Sequence, residues 1–331
     1  MSAKLTAAVE SFAIDGVFTI ARGSKTHAEV IRVTIERDGL IGQGECVPYA
    51  RYGETVAGTL DTILSLTDQV AAGLDRQGLQ AALPPGAARN AVDCAFWDLE
   101  AKTGNTTAAA MAGITLPPDL VTCYTISLGT PEAMAAAVKA AGGYPLLKIK
   151  LGGEGDIERL NAVRAAAPNT RLVIDANEGW TEANLAANLA HCAVLGIELV
   201  EQPLPAGNDA MLGAITRPVP VCADESTHHR DGLSALVGRY DAINIKLDKT
   251  GGLTEALAMV SAAQSLGLKM MAGCMVGTSL GMAPAALVAA SADWVDLDGP
   301  LLLQADRPHG LTYTHGKVSP AAPIWGNFTD R

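Results

Sequence analysis

The sequence predicts an α/β protein: a C-terminal (β/α)8-type barrel preceded by an N-terminal α+β domain. Three observations lead there. Beyond about residue 120, eight strand-like runs alternate with Ala-rich helical stretches, the pattern of βαβ units around a parallel sheet. The marker residues Lys148, Asp175, Glu201, Asp224 and Lys246 recur at steps of 27, 26, 23 and 22 residues, room for one strand, one helix and two loops each. Before any of this, the first 50 or so residues alternate apolar and polar positions as half-buried strands do. The implied divisions are an α+β domain over 1–115, a barrel over 116–304, and a segment over 305–331 that returns to the first domain.

Taken in order, the run over 30–35 leads through Asp38-Gly39 into Leu40-Ile41-Gly42. Asp-Gly between two such runs predicts a hairpin. Helical patterns cover 55–73 and 87–104, and Gly104 follows Lys102 as a C-terminal stop. The barrel runs are 121–128, 146–151, 171–175, 197–201, 219–224, 242–247, 269–275 and 294–297. From about Ala305 the chain is rich in Pro and Gly.

Composition sets bounds. The chain has 331 residues, 49% hydrophobic and 18% charged, enough to bury a large core. A net charge of -11 with no basic run argues against nucleic acid as a partner and says little about the substrate, because local charge at a site can oppose net charge. The six cysteines are scattered, with no C-x-x-C pair, which predicts reduced thiols and the cytoplasm. Residues 1–16 lack the basic start and apolar core of a leader. The apolar stretch near 280–290 is too short to span a bilayer and contains Pro284, so no membrane role is expected. A homo-oligomer is left open.

The chemistry concentrates at the ends of the barrel runs, where such barrels build their sites. In Leu146-Leu147-Lys148-Ile149-Lys150-Leu151 the two lysines share one face of a strand, about 6–7 Å apart. Asp175, Glu201 and Asp224 each close an apolar run. Each alone reads equally as a helix cap. Three together, flanked by Lys148, Lys150 and Lys246, read as ligands for a hard cation, and a donor set of oxygens favours Mg2+ over zinc. Asn177, two residues past Asp175, is placed to hold a ligand or a metal-bound water. Lys249 has the opposite parity to Lys246 and is assigned to the following loop, outside the site. Asp296 and Asp298 share a face at the last run; a second metal, an ammonium pocket and solvated loop carboxylates all fit them. Arg22 and Arg51 suit either a bidentate clamp on a substrate carboxylate or a surface ion pair. Thr125 faces substrate or the barrel wall. His228-His229 reads as a solvated loop, and Cys274 and Met275 as packing.

With these residues in place, the chain resembles the enolase superfamily in its muconate-lactonizing subgroup. The Lys-x-Lys run, the Asp/Glu/Asp triad and the lysine of the sixth run carry the likeness. Within that group it is similar to bacterial L-Ala-D/L-Glu dipeptide epimerases. Shared segments include Ala21-Arg22-Gly23-Ser24, Arg51-Tyr52-Gly53-Glu54, Glu201-Gln202-Pro203-Leu204-Pro205, Cys222-Ala223-Asp224-Glu225-Ser226 and Asp296-Leu297-Asp298-Gly299-Pro300. The resemblance implies an isomerase of murein peptide metabolism that inverts the α-carbon of a dipeptide's C-terminal residue through an enediolate. It implies one Mg2+ per subunit on Asp175, Glu201 and Asp224, with Lys150 and Lys246 as the two bases and Lys148 stabilising the developing charge. Asp296 and Asp298 would hold the α-ammonium, and Arg22 and Thr125 would touch substrate. Each base must become neutral near pH 7, for which nearby positive charge is expected. Within the superfamily the rivals are an N-acyl amino acid racemase and an o-succinylbenzoate synthase or other cycloisomerase. The latter substrates bring no ammonium for Asp296 and Asp298. Outside it, a buried lysine in a barrel also fits a Schiff-base aldolase.

Overall fold

The computed structural model describes residues 2–321 and 323–327. The chain opens with an antiparallel sheet of β1 (Lys4–Ile20), β2 (Gly23–Arg37) and β3 (Leu40–Cys46). Asp38 (φ 53°) and Gly39 (φ 78°) are both left-handed, the geometry a two-residue hairpin needs to match strand twist. Arg37 pairs with Leu40 across that turn.

The helix Ala87–Thr103 lies on this sheet and seals a core of Leu5, Ile31, Val33, Ile35, Phe96 and Leu99. Gly42 and Gly44 permit the contact, since a Cβ on Gly44 would fall 2.0 Å from the Ala91 carbonyl oxygen. Two details depart from the sequence reading. The pattern over 55–73 is two helices, Val56–Leu64 and Thr67–Ala71, broken at Ser65-Leu66. Gly104 stays right-handed (φ -82°), and Asn105 (φ 49°) takes the left-handed position one residue later.

The run over 121–128 divides. β4 (Leu120–Val121) leaves the barrel, while β5 (Tyr124–Ile126) begins it. Then follow β6 (Leu146–Lys150), β7 (Arg171–Asp175), β8 (Leu199–Glu201), β9 (Val221–Ala223), β10 (Ala242–Ile245), β11 (Lys269–Gly273) and β12 (Trp294–Asp296). Each pairs in parallel with the next. The ring closes just before β5, where Cys123 N–H donates to Val295 O at 2.8 Å and Leu297 N–H to Thr122 Oγ1 at 2.9 Å. β13 (Thr312–Thr314) and β14 (Lys317–Ser319) form a small antiparallel sheet with β4. The last described residues lie on the first domain: Trp325 Nε1 donates to Cys94 O at 3.0 Å, and Gly326 N–H to Asp98 at 2.8 Å.

The barrel floor positions everything above it. Cys123, Leu146, Val173, Leu199, Cys222, Ala242, Met271 and Trp294 form one apolar cluster, one residue from each strand or its edge. Strand side chains repeat every two residues. One step up from the floor therefore come Thr125, Lys148, Asp175, Glu201, Asp224, Asn244, Gly273 and Asp296; a second step adds Lys150, Lys246 and Asp298. No helix among the described residues is long and apolar enough to cross a membrane.

Candidate active site

Oxygens of Asp175, Glu201 and Asp224 lie within 4.8 Å of one another, all three residues buried. Four lysines surround them. Lys150 Nζ is 2.6 Å from Asp175, Lys148 Nζ is 2.6 Å from Glu201 and 3.4 Å from Asp175, and Lys246 Nζ is 2.6 Å from Asp224. The fourth, Lys249, donates at 2.6 Å to both the side chain and the backbone oxygen of Asp224, and at 3.0 Å to Asn244 O. The sequence reading had left it in a loop outside the site. It sits instead in a short helix, Leu247–Thr250, and is fully buried. Asn244 donates to Glu201 at 2.7 Å, and Gly273 makes room for it, because a Cβ there would come within 2.4 Å of Asn244 Oδ1.

These contacts set the charges. Burial works to raise the Asp175 carboxyl, but Lys150 and Lys148 prevail and hold it at about 2. Asp224 is likewise held low against burial by Lys246 and Lys249. Glu201 is pushed up by burial and by Asp175. Burial would lower Lys148 and Lys246; carboxylates beside each outweigh it and raise both. At Lys246 the carboxylate of Asp224, 2.6 Å away, works to raise the ammonium, and the positive charge of Lys148 works to lower it.

The donor set fits a divalent ion on two grounds. It is three hard oxygens without nitrogen or sulfur. With Asp296 and Asp298 included, five buried carboxyl groups face four lysines; once one lysine is neutral, the formal charge is minus two. A buried charge of that size needs a counter-charge. The amide oxygen Oδ1 of Asn177, also buried beside the triad in sequence, has no hydrogen-bond partner.

The remaining candidates separate. Asp296 is 2.7 Å from Lys148 Nζ, and among the described residues the group of three or more such ligands that comes together is the triad, without Asp296 or Asp298. Asp298 accepts the Thr125 N–H at 2.6 Å, and burial together with Asp296 lifts it to about 7. Thr125, Lys150, Asn177, Asp224, Lys246, Asp296 and Asp298 all line a cavity of about 720 Å³, together with Arg22 and Arg51. Arg51 is bound through two hydrogen bonds of 2.8 Å to Glu178. Arg22 reaches Glu225 at 2.7 Å. His228 lies in the loop after β9 but is half-buried: its ring packs edge-on against Tyr52 at 4.7 Å and burial lowers its pKa. Cys274 and Met275 line the cavity wall.

Glu178 and Glu225 went unassigned in the sequence, and Lys249 was assigned to a loop outside the site. Strand parity is a guide only within a strand, and β9 ends at Ala223 and β10 at Ile245. The one available signal was adjacency: Glu225 follows a triad member and Glu178 follows Asn177.

Fold and site together define the class: a closed parallel β/α barrel with a three-carboxylate centre at its mouth, beneath an α+β domain. Comparison with known proteins gives the family. Residues 4–113 match the model for the mandelate racemase / muconate lactonizing enzyme N-terminal domain, and 131–323 match the enolase C-terminal domain-like model. The chain belongs to the mandelate racemase / muconate lactonizing branch of the enolase superfamily. It is 46% identical over 311 residues to an L-Ala-D/L-Glu epimerase of Escherichia coli (strain K12), covering 93% of this chain and 97% of that one. It is 45% identical over 300 residues to an N-acetyl-D-glutamate racemase of Pseudoalteromonas sp, covering 90% and 95%. Among solved structures, an enolase family member from Agrobacterium tumefaciens superposes with a TM-score of 0.96 at 56% identity, over 98% of this chain and 100% of that one. That protein is described as homologous to dipeptide epimerases and holds sodium and L-Ala-L-Glu.

Proposed function

We propose that the protein is a dipeptide epimerase that inverts the α-carbon of the C-terminal residue in L-Ala-D/L-Glu-type dipeptides, using one Mg2+ held by Asp175, Glu201 and Asp224. One observation carries the reading. Lys150 lies on β6 and Lys246 at the end of β10, four places apart in a ring of eight, and therefore across the cavity from each other. Each is buried and paired with a different member of the triad. Epimerisation requires a base on one face of the α-carbon and an acid on the other, and this pair supplies both.

A divalent ion held by Asp175, Glu201 and Asp224 would supply positive charge to the substrate carboxylate. Lys150 or Lys246, whichever is neutral, removes the α-proton from its own face, and the opposite, protonated lysine returns one. Lys148, fixed between Glu201 and Asp296, adds a permanent positive charge beside the carboxylate as charge develops there. Asp296 has an unpartnered oxygen, Oδ1, suited to the dipeptide's ammonium, with Asp298 beside it. Arg22 lines the cavity with donors for a side-chain carboxylate. All six cysteines are unpaired, which supports placing the protein in the cytoplasm.

A second reading, racemisation of N-acyl amino acids, is supported by Asp298, which near pH 7 exists partly as a neutral acid able to donate to an acyl oxygen. The deciding experiment incubates free and N-acetylated L-Ala-L-Glu with enzyme and Mg2+ in D2O and reads α-deuterium by mass. Faster exchange of the free dipeptide is expected. Equal exchange of both would shift the assignment to the N-acyl class, and exchange of neither would end the epimerase reading.

A further inference from the structure

In Glu201-Gln202-Pro203 a member of the triad stands beside a residue with no role so far. Gln202 is 0% exposed and holds a left-handed backbone angle, φ 33°, a costly conformation for a residue with a side chain. That turn takes the chain off the sheet just after Glu201, the last residue of β8. The Gln202 N–H still donates to Cys222 O at 2.9 Å. Past the end of β9 at Ala223, the side chain of Gln202 stands in for the strand that has left. Its Oε1 accepts the Asp224 N–H at 2.9 Å and the Ser226 N–H at 3.1 Å. On the opposite side, Gln202 O accepts the Glu178 N–H at 2.9 Å, three residues past Asp175. The segments that carry Asp175, Glu201 and Asp224 therefore all meet on one residue.

The amide is itself held. Its Nε2 faces Leu204 O at 2.8 Å, Ser226 Oγ at 2.9 Å and Tyr240 Oη at 3.0 Å. The hydroxyls of Tyr240 and Ser226 each donate to Asp209 Oδ2 at 2.6 Å, and Arg239 pairs with the other oxygen of Asp209 at 2.7 Å. None of these side chains lines the cavity, so their influence on the reaction passes through the carboxylates. We infer that Gln202 is a positioning residue for the divalent-ion site, joining the three ligand segments and holding them to the narrow geometry that Mg2+ requires. This rests on the reading of the triad as the metal site. Mg2+ demands near-ideal octahedral geometry, whereas Ca2+ accepts an irregular one, so misplaced ligands cost Mg2+ more.

Calorimetric titration of chelator-treated protein with Mg2+ and with Ca2+ tests this. Gln202→Leu keeps much of the bulk and loses every hydrogen bond of the amide. Gln202→Gly loses the same bonds and takes the left-handed angle without strain. In both variants the Kd for Mg2+ should rise roughly 10–100-fold, the usual worth of a group that orients a metal ligand, and the Kd for Ca2+ by a smaller factor. A role confined to stability would lower the melting temperature of the metal-free protein and leave the ratio of the two Kd values unchanged. Wild-type Mg2+ affinity in a folded variant, or equal losses for the two ions, overturns the inference. Q202G decides the matter where Q202L does not fold. If the wild type binds neither ion, the metal reading of the triad fails, and the inference falls with it.

Discussion

Lys150 and Lys246 show what a residue at this site is asked to do. Each is paired at 2.6 Å with a different carboxylate of the triad, so the two lysines share their partners with the metal site. K150A and K246A should each abolish epimerisation, by roughly 10²–10⁴-fold. Each variant should still exchange the α-proton of one epimer, a different one in each, as read by deuterium incorporation from D2O. Epimerisation by either variant at the wild-type rate would refute the two-base scheme. Asp298 makes a separate prediction. Its carboxyl titrates at about 7, and only the charged form attracts an ammonium. kcat/KM for the free dipeptide should therefore rise as pH increases through 7, and D298N should flatten that rise. A wild-type profile already level from pH 6 would show that Asp298 charge is not involved.

At the scale of elements, the segment between Cys46 and Thr55 is held at both ends by carboxylates. Asp248 accepts the Val47 N–H at 3.0 Å and Asn90 at 2.8 Å. Glu54 accepts the Tyr49 N–H at 2.9 Å and the Ala87 N–H at 2.8 Å, the latter at the start of the helix Ala87–Thr103, where a negative charge is favoured. Burial raises Asp248 to about 7, with the Val47 and Asn90 hydrogen bonds opposing. A carboxyl raised in the folded state stabilises the fold below its unfolded value, and that stability is lost as pH rises toward the folded value. Between about pH 4 and 7 the melting temperature should fall less steeply in D248N than in the wild type. Gly44→Ala probes the contact between the same helix and β3. Its Cβ would meet the Ala91 carbonyl at 2.0 Å, and a rigid helix backbone does not yield, so a loss of about 3 kcal/mol is expected in denaturant unfolding. A loss near zero would show that the helix shifts freely.

For the whole molecule, the decisive quantity is the charge balance of the barrel mouth. Five carboxyl groups and four lysines are buried together there, so with every group ionised the acids exceed the lysines by one, and by two once a lysine gives up its proton. Chelation should stop turnover, and Mg2+ should restore it. Because a ligand that binds only the folded state stabilises it by mass action, Mg2+ at about 100 times its Kd should add about 2.7 kcal/mol. Asp224→Asn should lose both the activity and the Mg2+-dependent rise in melting temperature. Full turnover by metal-free protein would remove the triad from the mechanism.

The barrel was legible because two periods are written in the chain. The strand period of two places Lys148 with Lys150 and Asp296 with Asp298, and the spacing of 22 to 27 residues places one unit after another. The hairpin at Asp38-Gly39 was legible for an equally local reason: both turn positions require φ > 0. Local patterns end where the strands end. Lys249, Glu225 and Glu178 lie past those ends, where the path of the chain depends on what packs against it. Pairing was also beyond the sequence. Composition shows how many acids and lysines there are, but only the closed ring brings Lys148 of β6 to Asp296 of β12, 148 residues away. Which cation meets which carboxylate is a question of distance in three dimensions, and ring closure across the Cys123–Val295 seam determines those distances.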